Sequence, residues 1–413
     1  MRINEKQLEL VDRQIKRILE SGNYYSKVYK EAGITGVKTP EDFEKIPFTD
    51  KADLRNAYPL GIQAVPDNKV VRIHSSSGTT GKPVIIPYTA KDVDDWATMF
   101  ARCYEIAGVT AEDRVQITPG YGLWTAGIGF QAGCEKLGAM AIPMGPGNTE
   151  KQIQMMIDLK STVICATSSY ALLLAEEINR RGLRDQICLK KGIIGSERWS
   201  DAKRKYIADN LGIELYDIYG LTEIYGPGIG INCLGETGMH IFDDYLYTEI
   251  INPKTGEILP DGEEGEIVIT TLVKEGAPLL RFRTHDLSRI IPGECRCGRT
   301  YPQLDTIKGR SDDMFKVHGV NMFPSQVEEL LGCVDGVSSE YKIDVAYDES
   351  KNRDIIMVTA EAEGRVNFKE TGEKIRALFK SRMNITPNVV VVSVNTLPRS
   401  EKKTQRVFDH RTP

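Results

Sequence analysis

What the chain lacks narrows its class before any motif is read. No stretch approaches the ~18 uninterrupted apolar residues of a spanning helix, so a membrane-spanning helix is excluded. The opening MRINEKQLELVDRQIKRILE is charged throughout and has no apolar h-region of a secretory signal, so a cytoplasmic protein is expected. Basic charge is in no excess: 53 Lys and Arg stand against 58 Asp and Glu, net −5. Nucleic acid and anionic membrane find no broad positive footprint, and neither is expected as a partner. Eight cysteines in 413 residues are too sparse for a disulfide scaffold. What remains is a soluble chain of ordinary composition, 41% hydrophobic and 27% charged. It is long enough for two or three domains at about 150 residues each.

Leu8, Val11, Ile15, Ile18 and Leu19 recur every three or four residues, one apolar helical face that suits core packing or a subunit contact. Short apolar strands at 70–74, 114–118, 140–143, 163–167 and 192–194 alternate with amphipathic segments such as 149–159. That alternation argues for an α/β fold with mainly parallel sheets. Beyond residue 240 the pattern changes. Runs at 245–251 and 266–272, with a turn at Asn252-Pro-Lys-Thr-Gly256, read as antiparallel strands of a small β unit at about 233–305. A further α+β region begins near Gly309, with strands at 342–347, 354–361 and 388–395 and helices at 324–331 and 367–383. The expected division is a large N-terminal α/β domain, 1–308, and a smaller α+β C-terminal domain, 309–413.

The richest stretch is His74-Ser-Ser-Ser-Gly-Thr-Thr-Gly-Lys-Pro83, which follows an apolar strand. Its glycines permit close backbone approach, and successive N–H groups with hydroxyls can form an anion nest. Lys82 adds a positive charge. The spacing is not the Walker pattern, and an isolated loop of this composition fits a polar surface loop equally well. Downstream stand Gly120-Tyr-Gly-Leu-Trp124, Asp217-Ile-Tyr-Gly-Leu-Thr-Glu223, Arg281-Phe-Arg-Thr-His-Asp286, Gly309-Arg-Ser-Asp-Asp313 and Leu397-Pro-Arg-Ser-Glu401. In this order and at these separations they resemble the adenylate-forming superfamily of acyl-CoA synthetases, and more narrowly the phenylacetate–coenzyme A ligases. The resemblance runs over nearly the whole chain.

The resemblance implies a two-step ligase using ATP, Mg²⁺ and coenzyme A, with an acyl-adenylate between the steps. In its terms Ser75, Ser76, Ser77, Gly78, Thr79, Thr80, Gly81 and Lys82 hold the β/γ end of ATP. Glu223 holds Mg²⁺, a hard cation that takes carboxylate and phosphate oxygens together. Tyr219, Gly220 and Thr222 belong to the same nucleotide motif. Asp217 meets the adenine amino group, and Ser196 and Glu197 belong to the adenine-covering segment, where Arg198 replaces the family's usual Pro. Asp286 accepts both ribose hydroxyls, and Arg310 reaches the ribose or phosphates. Lys403 is the catalytic lysine bridging the acyl oxygen and α-phosphate. The family has Gly-Lys where this chain has Lys402-Lys403, which leaves the choice between the two lysines open. Asp312 occupies the hinge position about which the mobile C-terminal domain turns between the two half-reactions. Lys316 to Asn321 would then line the thiol tunnel.

Tyr121, Gly122, Trp124 and Ala126 are the expected acid pocket, with Tyr121 or Trp124 stacking on an aryl ring. Trp124 stands where a phenylalanine is expected. Cys233, His240, Cys295 and Cys297 make a tetrahedral ligand set for a structural Zn²⁺; buried free thiols fit the Cys-x-Cys spacing as well. Cys103, Cys134, Cys165, Cys188 and Cys333 read as core, and His74, His285 and His318 as structural residues inside motifs. A homodimer is implied by the resemblance. The leading reading is an aryl-acid CoA ligase. Transfer to a carrier-protein thiol or cofactor, or nucleotide binding without catalysis, are the alternatives.

Overall fold

The apolar runs at the chain's centre form the parallel half of a nine-stranded sheet. The computed structural model describes residues 2–76, 82–197, 201–235, 238–312, 315–317, 320–348, 353–363, 365–398 and 406–411. Met140–Pro143, Arg114–Ile117, Val163–Thr167, Lys191–Gly195 and Glu214–Leu221 lie side by side in that order, all parallel. Parallel strands covered on both faces need apolar residues in succession, not in alternation. Here Val163, Cys165 and Ile193 enter one core, while Ile164, Ala166 and Ile194 enter another on the opposite face. After Leu221 the chain reverses. Gly226–Asn232 runs antiparallel to Glu214–Leu221, and Met239–Ile241, Gln303–Leu304 and Ile290–Ile291 complete the sheet. Gly220 stands at the tight start of this reversal: a Cβ there would lie 2.0 Å from Gly226 O.

A second, antiparallel sheet is ordered Leu246–Ile251, Gly265–Thr271, Phe282–Ser288, Gly309–Arg310. Asn252 makes the expected turn between its first two strands by accepting from Lys254 N and Thr255 N at 2.9 and 3.3 Å. Gly309–Arg310 pairs with Phe282–Ser288 through Asp286 and Leu287, so this segment lies on a sheet of the preceding region. One strand departs from expectation. Val70–Ser75 does not enter the parallel sheet but pairs antiparallel with Ile85–Thr89. The connection between them, 76–84, is shorter than the dozen or so residues a parallel crossover requires.

The N-terminal helix Glu5–Ser21 is capped reciprocally by Asn4 and Gln7. Leu8, Val11, Ile15 and Ile18 are buried in the main core, so the apolar stripe packs within this chain. The C-terminal region has its own core, including Val327, Leu331, Ile343, Val358 and Phe379. Its sheet runs Asn388–Ser393, Arg353–Ala362, Val337–Asp348, Val407–Asp409, and the last strand was absent from the sequence expectation. Helices Pro324–Gly332 and Phe368–Met383 accompany it. Cys103, Cys134 and Cys165 are buried as expected, whereas Cys188 and Cys333 are exposed. Cys333 caps the end of Pro324–Gly332, where the helix no longer hides it. No helix among the described residues is long and apolar enough to cross a membrane.

A buried ion pair ties the N-terminal segment to the second sheet. Arg281 Nη2 lies 2.9 Å from Glu249 Oε1, with side-chain exposures of 5% and 0%. The same guanidinium donates to Glu44 O and Ile46 O at 2.5 and 3.1 Å. Removing one member of a buried pair strands the other charge, at a cost of about 3–5 kcal/mol. Arg281→Met is therefore expected to lower the unfolding free energy by that order in urea titration. A loss below about 1 kcal/mol, the range of exposed pairs, would refute the role.

Candidate functional site

Loops at the carboxyl ends of parallel strands are where an open α/β sheet binds its ligands, and the motif residues gather there. The turn 222–225, where the nine-stranded sheet changes from parallel to antiparallel, carries Glu223. Its side chain is 6% exposed, and Oε1 lies 2.8 Å from Lys51 Nζ. The carbonyls of the turn and of the start of the strand after it are taken by buried donors. Tyr88 Oη donates to Tyr225 O at 2.9 Å and Trp96 Nε1 to Pro227 O at 2.8 Å. Lys274 Nζ donates to Glu223 O at 3.5 Å and also to Ile224 O. Sequence reasoning missed Lys51, Lys274, Tyr88 and Trp96. The only signal was Lys274 itself, the one basic residue inside the run Thr-Leu-Val-Lys-Glu-Gly-Ala-Pro-Leu-Leu.

The Ser/Thr/Gly loop closes the antiparallel hairpin beside this turn. Ser76 N donates to Val84 O at 2.9 Å, and Val84 N returns a bond to Ser76 Oγ at 3.0 Å. Ser75 N donates to Leu123 O at 2.8 Å, and Lys82 Nζ lies 5.3 Å from the centre of the Tyr58 ring. Ser77, Gly78, Thr79, Thr80 and Gly81 lie outside the described residues. Gly195 and Asp217 stand on adjacent parallel strands, and Ser196, just past the end of the first, is held at φ +69, a backbone region unusual for serine. Glu197 is anchored on the Ser168–Arg180 helix, accepting from Ser169 N at 2.9 Å and Ser168 Oγ at 3.1 Å. Asp217 N donates to Asn232 Oδ1 at 2.7 Å.

Tyr219, Asp286, Arg310 and Asp312 form one chain of contacts. Tyr219 Oη donates to Asp286 Oδ2 at 2.7 Å, and Arg310 Nη1 to Asp286 Oδ1 at 3.1 Å. The other face of the Arg310 guanidinium grips Asp312 in a fork of two 2.8 Å bonds. Next to it, Ser311 Oγ donates to Glu266 Oε2 at 3.2 Å, and its N donates to His285 O at 2.7 Å. Arg283 donates to both Glu266 oxygens at 2.9 and 2.7 Å. The segment from Arg310 to Asp312 is thus fixed on both sides by charged groups. Lys402, Lys403 and His318 lie outside the described residues; of the tunnel segment Lys316 and Asn321 are described, on the two strands of a short hairpin.

The acid loop leads into the Ala126–Leu137 helix. The Tyr121 ring packs where a Cβ on Gly127 would stand, 2.8 Å from Tyr121 Cδ2. Gly122 has φ +90, and Trp124 is 47% exposed. Besides the bond from Ser75 N to Leu123 O, two side-chain contacts tie this loop to its neighbours: Thr125 Oγ1 lies 3.4 Å from Thr222 Oγ1, and His74 Nδ1 lies 3.2 Å from Leu123 O. A carbonyl can only accept, so Nδ1 carries the proton. Burial pushes His74 down to about 4, and it is neutral at ordinary pH.

Away from these loops, Cys233, His240, Cys295 and Cys297 converge, all four ligand atoms within 4.8 Å of one another. Cys233 Sγ lies 3.4 Å from Cys295 Sγ, and Cys297 Sγ 3.3 Å from His240 Nε2. Sulfurs around a tetrahedral ion with Zn–S bonds of about 2.3 Å would stand roughly 3.8 Å apart, so the set fits zinc. Gly235 N and Cys297 N donate to Cys233 Sγ and Cys295 Sγ at 3.3 and 3.5 Å.

The chain matches the family described as AMP-binding enzyme over residues 14–272, and the AMP-binding enzyme C-terminal domain over 319–411. It is 43% identical over 391 residues to the phenylacetate–coenzyme A ligase of Aromatoleum evansii, covering 94% of this chain and 88% of that one. With the phenylacetate–coenzyme A ligase of Escherichia coli strain K12 the identity is 41% over 414 residues, covering 96% and 92%. Its structure is similar to 2-hydroxyisobutyryl-CoA ligase in the postadenylation state with 2-HIB-AMP, at a TM-score of 0.88, 26% identity and coverage of 98% and 88%. Against the same ligase with 2-HIB-AMP and CoA in the thioesterification state, the TM-score is 0.70 at 27% identity, covering 98% and 89%. The arrangement of this chain is the nearer to the postadenylation form.

Glu266 supplies a pH test of the contacts around Ser311. Burial raises its carboxyl, but hydrogen bonds from His285 and Arg283 outweigh that and hold it at about 2, below its usual 4.5. A depressed carboxylate stabilises the fold above its unfolded pKa, and that stability is lost as pH falls through the folded one. Between pH 4.5 and 2, the unfolding free energy of the native chain is expected to fall more steeply than that of Glu266→Gln. Equal slopes in urea titrations across that window would dismiss the network.

Proposed function

Because this chain belongs to the phenylacetate–coenzyme A ligase family of AMP-binding enzymes, we propose a division of labour among its residues in the reaction of that family. The reaction is ATP-dependent acid–CoA ligation through an acyl-adenylate. A carboxylate oxygen of the acid attacks the α-phosphorus of ATP, the bond to the bridging oxygen breaks, and pyrophosphate leaves. The sulfur of CoA then attacks the acyl carbon, its proton passes to solvent, and AMP leaves. An aryl acid of the phenylacetate type is the proposed substrate.

The observation that carries the residue assignment is Glu223, a buried carboxylate at the turn where the sheet reverses, beside the Ser75–Ser76 hairpin. A carboxylate so enclosed, met at Oε1 by one lysine, suits a divalent cation shared with phosphate oxygens. Bound there, Mg²⁺ would neutralise charge on the phosphates. The chain's own groups do the positioning. Residues 75–82 would hold the β/γ-phosphates, Asp286 and Arg310 the ribose, and Ser196, Glu197 and Asp217 the adenine. Tyr121, Gly122, Trp124 and Ala126 would seat the acid. Lys403 would bridge the acyl oxygen and the α-phosphate, and Asp312 would serve as hinge between the large domain, 1–308, and the C-terminal domain, 309–413. A homodimer in the cytoplasm completes the reading on the family resemblance alone.

We also propose zinc at Cys233, His240, Cys295 and Cys297, where it would staple the fold without entering the chemistry. Cys295→Ser is expected to abolish bound zinc in metal analysis and to lower Tm by several degrees. An unchanged Tm with no zinc in the native protein would leave four free ligands instead.

Acid-dependent pyrophosphate release is the test of the whole reading, measured over phenylacetate, its hydroxylated analogues and short aliphatic acids, with and without CoA. Turnover with an arylacetate sustained only by CoA is expected. Release indifferent to CoA would move the acyl group to another acceptor. Lys403→Ala should abolish release yet spare thioester formation from supplied acyl-AMP, whereas Lys402→Ala should be near native. Equal loss of both half-reactions in Lys403→Ala would remove that lysine from the adenylation step.

A further inference from the structure

Lys274 is fully buried, an expensive place for an ammonium. It lies in the connection between Gly265–Thr271 and Phe282–Ser288, and the connection is held rigidly. Asp92, itself fully buried, accepts from Glu275 N and Gly276 N at 2.7 and 2.8 Å. Gln14 Nε2 donates to Lys274 O at 3.0 Å. The side chain then runs inward between two rings, with Nζ 4.6 Å from the centre of Tyr88 and 4.8 Å from that of Tyr225. Such ring faces attract a desolvated cation. The ammonium ends on Glu223 O and Ile224 O.

If filling space were the only requirement, Met or Leu would do so without burying a charge. What the ammonium adds is two hydrogen bonds from one rigidly mounted atom to consecutive carbonyls, the first belonging to Glu223. A backbone carbonyl held there fixes its own Cα, and with it the point from which the carboxylate reaches. The placement also has an electrostatic side, since the ammonium is attracted by both Glu223 and Asp92.

We propose that Lys274 is a positioning residue for adenylation: it clamps the Glu223 turn so that the Glu223 carboxylate meets Mg·ATP in a fixed geometry. This rests on the reading of Glu223 as the metal-holding carboxylate. The groups facing the ammonium are Asp92 from the Ala90–Ile106 helix, Tyr88 from Ile85–Thr89, and Glu223 with Tyr225 from the turn. His74, on Val70–Ser75, is the other titratable neighbour that feels its charge, and it is neutral.

The test uses the full-length protein and acid-dependent pyrophosphate release. In Lys274→Met the KM for Mg·ATP is expected to rise about tenfold, equivalent to about 1.4 kcal/mol, with the KM for the acid within about twofold of native. A variant that lowers Tm but keeps the native KM for Mg·ATP would overturn the proposal. Lys274→Gln keeps a polar side chain that is too short to span both carbonyls, so its KM for Mg·ATP should also rise. A native KM for Mg·ATP in Lys274→Gln overturns the proposal even if Lys274→Met fails to fold. Glu223→Gln is measured alongside. If it retains native dependence on Mg²⁺, the metal-carboxylate reading falls and this proposal with it; if it loses that dependence while Lys274→Met behaves as native, only the clamp falls.

Discussion

A buried turn must find donors for its carbonyls, because water cannot reach them. At the reversal of the nine-stranded sheet those donors are Lys274, Tyr88 and Trp96, and each arrives from a different part of the chain. Tyr88 lies on the hairpin that ends in the Ser/Thr/Gly loop, Trp96 on the helix that follows it, and Lys274 on the second sheet's connection. Satisfying one turn therefore fixes three neighbours against it. The hairpin cannot shift without exposing Tyr225 O, nor the second sheet without exposing Glu223 O and Ile224 O. Leaving a buried acceptor unpaired costs about 1–3 kcal/mol, which is enough to make the arrangement cooperative. The site is stiff because its polar backbone atoms have few other ways to be satisfied.

Where the polar bonds are charged and closer to the surface, the structure has a different character. Arg310 shares its guanidinium between Asp286, on the second sheet, and Asp312, where the chain leaves that sheet. Arg310 and Asp312 are partly exposed, so the fork is open to competition from water or from a ribose and phosphate. Interactions of this kind hold one orientation of a domain without forbidding another. The main-sheet clamps suit a fixed half-site, and the Arg310 fork would suit the hinge proposed at Asp312.

Much of this could be read from the residues. The parallel strands declared themselves because a strand covered on both faces is apolar in succession, as at Val163, Ile164 and Cys165. The loops declared themselves because close backbone approach requires Gly, Ser and Thr in a small alphabet. What escaped was partnership over distance. Val70–Ser75 has the composition of a strand, but only the length of its connection to Ile85 decides that the neighbour is antiparallel. Lys51 follows a helix-capping Asp50 and looks like any solvated lysine; its contact with Glu223 spans most of the large domain's sequence. Cys188 and Cys333 look apolar in their local surroundings and are nevertheless exposed, because local composition does not say which side of an element faces out. A side chain's chemistry is local, whereas its burial belongs to the fold.

The Cys and His residues gather where the main sheet is weakest. Beyond Gly226–Asn232 its strands shorten to Met239–Ile241, Gln303–Leu304 and Ile290–Ile291, joined by only a few ladder positions. Strands of two or three residues bury little side-chain surface and gain little from pairing alone. Cys233 follows Gly226–Asn232 directly, His240 is the middle residue of Met239–Ile241, and Cys295 and Cys297 lie between Ile290–Ile291 and Gln303–Leu304. A metal ion bound by all four would cross-link three successive segments of this edge at one point. It would replace the hydrogen bonds that such short strands cannot make. On this argument the cluster belongs to stability, and its loss should loosen the sheet's antiparallel edge before it disturbs the turn that carries Glu223.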